Sequence, residues 1–94
     1  MEFEWDENKR RINLQKHDLD FANAYRAFTE DAFVIPDDRE DYGEDRYILL
    51  GLMREHIVVI AFTIRDDVIR VISIRKANRQ ERKSYVQRRF GTNG

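Results

Sequence analysis

The sequence predicts an α+β fold in which helices precede an antiparallel sheet and one helix follows it. Three observations predict it. Helical spacing and caps run through the first stretch to Phe28, and they return at Asn78. Between them lie three β-rich segments joined by tight turns. The 94 residues suit one domain, 1–94, with no room for a second of ordinary size. Hydrophobic residues make up 41% of the chain, enough for a core that must be thin at this length.

Taken in order, Phe3-Glu4-Trp5 reads either as a short edge strand or as a hydrophobic staple. Asp6 is a good N-cap for a helix running to about Lys16. The expected buried side of that helix is Trp5, the stem of Lys9, Ile12 and Lys16, with Asn13 on the side of Lys9 and Lys16. Asp20 caps a second helix, in which Phe21, Ala24, Tyr25 and Phe28 follow the i, i+3, i+4, i+7 stripe of a core-facing surface. Ala32 to Ile35 is a short strand ended by Pro36, and Asp37 to Asp45 is an acidic loop containing Gly43.

Tyr47 to Met53 and His56 to Ile64 are strands with a turn at Arg54-Glu55, and Val68 to Ile74 follows a turn at Asp66-Asp67. β-Branched residues dominate the last two segments. The register of the last hairpin decides which face Arg75 takes, because a one-residue slip inverts a strand. A three-residue loop puts Thr63, Ser73 and Arg75 on one face and Val58, Ile60, Phe62, Ile64, Ile72 and Ile74 on the other, which separates polar from apolar. Asn78 starts the last helix with Glu81 in the capping-box position. The helix runs to about Phe90, and Gly91 and Gly94 mark a frayed tail over about 91–94.

Several function classes are excluded. No cysteine is present, so there is no disulfide framework and no thiolate metal site, which fits a reducing cytosol. His17 and His56 are the only histidines and have no metal-ligand spacing, so no metal and no cofactor is expected. The glycines form no phosphate loop, and no Gly-x-Ser-x-Gly occurs. The N-terminus is polar and acidic, unlike a signal peptide. The longest apolar stretch, Ile57 to Ile64, is too short to cross a bilayer. A soluble cytoplasmic protein without membrane contact is expected.

The net charge of −1 hides a segregation. Residues 30 to 45 hold eight acids against one base, Arg39. Residues 75 to 89 hold seven bases against one acid, Glu81. A strand end delivers Arg75 to the mouth of a helix, whose free N–H groups and partial positive charge favour an anion. Guanidinium forks match phosphate, and Lys76, Arg79, Arg82 and Lys83 surround the spot, which suits RNA. Other residues keep two readings each. Glu81 is a cap partner or a catalytic group, and Tyr85 a packing anchor or a catalytic hydroxyl. His17 closes the first helix, as a structural cap or as a general acid/base. His56 reads as structural, and Arg88 and Arg89 as solvent-facing.

Together these residues resemble the BrnT family of type II toxin–antitoxin toxins over about Phe3 to Tyr85. The matching segments are Phe3-Glu4-Trp5-Asp6 with Lys9, Asn13 with Lys16-His17, Phe21 and Ala24. Gly43-Glu44-Asp45-Arg46 and Ile72-Ser73-Ile74-Arg75 with Ala77, Glu81 and Tyr85 complete the set. Asp18 stands where the family usually has glycine, and Ile74 where alanine is usual. The resemblance implies a RelE-like fold with two N-terminal helices, a twisted antiparallel sheet (a meander) and a C-terminal helix. It implies a ribonuclease that blocks translation by cleaving RNA, free or ribosome-bound, without a metal, through attack of the RNA 2′-hydroxyl on its own phosphate. The implied partner is a BrnA-type antitoxin, a ribbon-helix-helix dimer in a 2:2 complex that reaches operator DNA only through the antitoxin. On this resemblance Arg75, Arg46 and Arg65 stabilise charge, His17 beside Lys16 is the acid/base candidate, and Glu81 and Tyr85 position these groups or transfer protons. The alternative is a non-catalytic RNA- or protein-binding subunit of an autorepressor complex.

Overall fold

The computed structural model describes residues 1–91, so the expected tail falls outside the described residues beyond Gly91. The elements are β1 (Glu2–Trp5), α1 (Glu7–His17), a 3-10 helix (Phe21–Ala27), β2 (Phe33–Pro36), β3 (Arg46–Met53), β4 (His56–Arg65), β5 (Val68–Lys76) and α2 (Arg79–Phe90). They build one α+β arrangement around a five-stranded sheet of order β1-β5-β4-β3-β2. No helix among the described residues is long and apolar enough to cross a membrane.

The local chemistry of the helix ends is as the sequence predicts. Asp6 accepts the Lys9 N–H at the start of α1, and Asn78 and Glu81 form a reciprocal capping box at the start of α2. His17 is the last residue of α1. Asp18, where the resembled family has glycine, adopts the left-handed conformation (φ 58°) that glycine reaches without strain, and its N–H closes on the Leu14 carbonyl.

The sheet is mixed, which corrects the purely antiparallel expectation. Strands β3 to β5 form the predicted antiparallel meander and β2 adds to it antiparallel to β3, but β1 runs parallel to β5, with Phe3 opposite Ile69 and Trp5 opposite Val71. Four residues carry too little pattern to name a partner, and a parallel pair needs a long crossover, which residues 6–67 supply.

The register of β4 and β5 is reached by a different route from the one expected. The turn at Asp66-Asp67 has two residues, both with positive φ, and Arg65 faces Val68. A bulge then leaves Ile72 without a partner between the pairs Ala61–Ser73 and Phe62–Val71. The extra residue restores the predicted phase, so Ser73 and Arg75 share a face with Val59, Ala61 and Thr63. Ile72 is not part of the inward row, Ile69 and Val71 fill it instead, and Ile64 is half exposed at the end of its strand.

The core lies on the other face, beneath α1 and the 3-10 helix. It contains Leu19, Phe21, Ala24, Leu49, Val58, Ile60, Val71 and Ile74. The predicted second α-helix is a 3-10 helix. At three residues per turn Ala27, not Tyr25, returns to the core above Phe21 and Ala24, and Tyr25 is exposed. Phe28 still packs inward, edge-on to Phe3 and Phe62. Gly51 lets this helix approach β3, since a Cβ there would lie 3.0 Å from the Ala27 carbonyl oxygen. The buried side of α1 also differs. Ile12, Lys9 and Lys16 are exposed, and Asn13 is the buried residue. Its amide donates to the Leu19 carbonyl and accepts the Ile74 N–H, both at 3.1 Å, so a polar side chain is satisfied where an apolar one was expected.

Helix α2 crosses the second face of the sheet. Tyr85 is buried and meets Phe33 edge-on at 5.8 Å, and Arg89 pairs with Asp31.

Candidate functional site

The second face of the sheet carries a set of arginines because strand alternation puts them there. Arg46 and Arg70 flank Thr63, Arg65 lies two residues beyond it on β4, and Arg75 faces Val59. Arg65 and Val59 are six residues apart on β4, so the two ends of the set are about 20 Å apart along the strands. Each guanidinium is held by a carboxylate. Glu44 bridges Arg46 at 3.3 Å and Arg65 at 2.9 Å, Glu4 holds Arg70, and Glu81 holds Arg75. Arg46 also lies over the Tyr42 ring at 4.1 Å.

Arg75 and Glu81 meet fork to fork, at 2.8 and 2.9 Å. Glu81 also accepts the Asn78 N–H at 2.8 Å, so the helix cap fixes the carboxylate that fixes the arginine. Arg75 further donates to the Lys76 carbonyl. Its Nε–H and one Nη2 hydrogen have no partner among the described residues, and these are what it can offer a ligand. The Arg75 guanidinium holds the Glu81 carboxyl below the usual carboxylate range. The free helix N-terminus expected from the sequence is partly used up, because the capping box occupies the N–H groups of Asn78 and Glu81.

Arg75 and Glu81 line a cleft of about 260 Å³ with Ser73, Asp37 and Arg39, over an apolar floor that includes Ile48, Val59 and Ala61. A second cavity beneath α2 shares Ile35, Ile48, Val59 and Glu81 with it, so the two adjoin. Asp37 is buried and accepts from Arg39 at 2.7 and 2.9 Å and from the Tyr42 hydroxyl at 3.2 Å. Its N–H continues the β2–β3 ladder to the Arg46 carbonyl. Arg39, ahead of Tyr42, drives the Asp37 carboxyl down to about 2.

That value has a consequence for stability. The unfolded-chain value is about 3.9, so between pH 4 and 2 the folded state binds fewer protons than the unfolded chain. The contribution of Asp37 is complete above about pH 4 and is lost as pH falls toward 2. Thermal melts from pH 5 to 2 should therefore show a steeper decline for the parent than for Asp37→Asn, which has no carboxylate to titrate. Parallel declines would remove Asp37 from this account.

The remaining predicted residues are distributed as follows. Lys76, Arg79 and Lys83 are exposed and make no ion pair among the described residues, while Arg82 donates to the Ala77 carbonyl. Tyr85 lines a different cavity, with Arg89 and Phe90, rather than the Arg75 cleft. Lys16 and His17 lie at the end of α1. No hydrogen bond or ion pair among the described residues joins them to Arg75, and neither lines its cleft. Sequence reasoning missed Arg70, whose partner Glu4 is 66 residues away. It also passed over Arg39, although a lone base in an acidic stretch is a signal that was available.

A family model described as the ribonuclease toxin BrnT of type II toxin–antitoxin systems matches residues 5–81 of the chain. No curated protein matches it.

Proposed function

The chain belongs to the BrnT family of ribonuclease toxins of type II toxin–antitoxin systems, and from that premise we propose that it cuts RNA on the arginine-bearing face of its sheet, with Arg75 at the centre. Membership of a type II system implies an antitoxin partner. The observation that carries the reading is the anchored arginine set. Arg46, Arg65, Arg70 and Arg75 share one face, each set by a carboxylate before any ligand arrives.

The proposed reaction needs no protein nucleophile. A ribose 2′-oxygen attacks the adjacent phosphorus as the bond to the 5′-oxygen breaks, leaving a 2′,3′-cyclic phosphate and a 5′-hydroxyl. One proton leaves the 2′-hydroxyl for a base and another reaches the 5′-oxygen. Arg75 stabilises the extra charge of the phosphorane, Glu81 positions Arg75, and Arg46 and Arg65 hold flanking phosphates. His17, beside Lys16, is the acid/base candidate. Tyr85 seats α2 and with it Glu81. Lys76, Arg79, Arg82 and Lys83 attract the RNA strand. No metal enters this scheme.

The order of two helices, meander and C-terminal helix supports a RelE-like reading of one domain over 1–94. A BrnA-type ribbon-helix-helix antitoxin in a 2:2 complex, acting in the cytoplasm and reaching operator DNA through the antitoxin, completes the proposal. One observation favours the non-catalytic alternative, a binding subunit of an autorepressor: the residues lining the Arg75 cleft include no histidine. Incubating the protein with RNA alone and with translating ribosomes, then mapping RNA ends, separates the two. New 2′,3′-cyclic phosphate ends are expected in at least one condition. Their absence from both would leave the binding subunit as the reading.

A further inference from the structure

We propose that Arg39 is a second substrate-binding arginine, which faces Arg75 across the cleft and contacts a phosphate of single-stranded RNA, with Asp37 as its positioning residue. The inference rests on the reading of Arg75 as the RNA site. Arg39 belongs to the acidic loop after β2, not to the basic C-terminal stretch, yet it lines the same cleft as Arg75. Its charge is near enough to oppose the protonation of Arg75. Two guanidinium groups facing one space repel each other, and an anion between them relieves that repulsion.

The anchoring of Arg39 argues for more than a loop contact. The Asp37 side chain is 3% exposed while that of Arg39 is 73% exposed, so the carboxylate lies beneath and the guanidinium lies at the surface. Asp37 takes Nε and Nη2 of Arg39, which leaves the Nη1 hydrogens with no partner among the described residues. Asp37 is itself fixed by the Tyr42 hydroxyl and by the sheet ladder. The arrangement repeats the one at Arg75, where a carboxylate held by backbone takes one edge of the fork and leaves another free. In both pairs the carboxylate is engaged by its arginine, so what faces the cleft is mainly N–H donors. The apolar floor of Ile48, Val59 and Ala61 between the two arginines suits an unpaired base better than a duplex. Asp38 also lines the cleft and opposes an anion.

The test is binding, not cleavage, so it stands apart from the catalytic reading. The probe is a single-stranded RNA oligonucleotide with every 2′-hydroxyl methylated, which cannot be cut by 2′-attack. Arg39→Gln is expected to weaken binding about tenfold, the loss of one charge-assisted contact. It should also reduce the slope of log K against log salt by about 0.7, the loss of one phosphate contact on a single strand. Asp37→Asn keeps the charge of Arg39 and loosens its anchor, so it should weaken binding with the slope unchanged. Asp38→Asn should tighten binding. If Arg39→Gln is poorly folded, the double variant Asp37→Asn with Arg39→Gln strands no buried carboxylate and gives the same slope measurement. An unchanged affinity and slope for Arg39→Gln, with Arg75→Ala weakened, overturns this inference alone. Weakening by Arg39→Gln but not by Arg75→Ala supports Arg39 and counts against the Arg75 reading instead.

Discussion

Replacing Arg75 with alanine is expected to lower single-turnover RNA cleavage by about 10²–10³-fold while leaving the protein folded. The size follows from what is lost, a cation placed where charge develops in the phosphorane. Folding is expected to survive because Arg75 is half exposed and its ion pair with Glu81 is a surface pair, worth about 0.2–1 kcal/mol. Glu81 keeps its second role, since it still accepts the Asn78 N–H and closes the cap of α2. Arg75→Lys should recover only part of the rate, because an ammonium cannot hold Glu81 and a phosphate with two forks. Growth arrest should be lost in parallel, and binding of the antitoxin should remain. Parent-like cleavage by a folded Arg75→Ala protein would remove Arg75 from the centre of the site.

What the sequence made legible was local chemistry. The caps of α1 and α2 each depend on residues three apart, Asp6 with Lys9 and Asn78 with Glu81, and such pairs can be read directly. Arg75 and Glu81 are only six residues apart, on a strand end and the helix it leads into, which is why this part of the cleft was visible in advance. The rest depends on tertiary partners. Spacing of three is common to an α-helix and a 3-10 helix, so Phe21 and Ala24 could not choose between Tyr25 and Ala27 as the next core residue. The bulge at Ile72 exists to reconcile a two-residue turn with a polar face, and no single residue announces it. Arg70 is set by Glu4 on the neighbouring edge strand β1, 66 residues away in the chain, and Arg39 lines the same cleft as Arg75 only through the tertiary fold of the β2–β3 loop. His17 was placed correctly at a helix end, but no hydrogen bond or ion pair among the described residues ties that end to the arginine cleft.

Asn13→Ala is expected to destabilise the protein by about 2–4 kcal/mol, a large part of the stability of a domain this small. The side chain is buried and makes both of its contacts to backbone, from its amide to Leu19 O and from Ile74 N–H to its oxygen. Alanine fits the space but strands a donor and an acceptor, each costing about 1–3 kcal/mol when left buried and unpaired. At roughly 4–8 °C per kcal/mol the melting temperature should fall by about 8–32 °C. The same substitution reaches the site. The register of β1 against β5 ends at Trp5 opposite Val71, and beyond that pair Asn13 takes over the strand edge at Ile74, the residue before Arg75. Loosening that edge should therefore raise backbone hydrogen exchange at Ile74 more than at Ile60 in the centre of the sheet. Ile12→Ala provides the contrast. Periodicity alone would make Ile12 the core residue and Asn13 its flank, whereas Ile12 is 62% exposed. Its truncation should cost no more than about 0.5 kcal/mol. If Ile12→Ala costs more than Asn13→Ala, helix α1 presents its other side to the sheet, and the tie from α1 to the Arg75 strand does not exist.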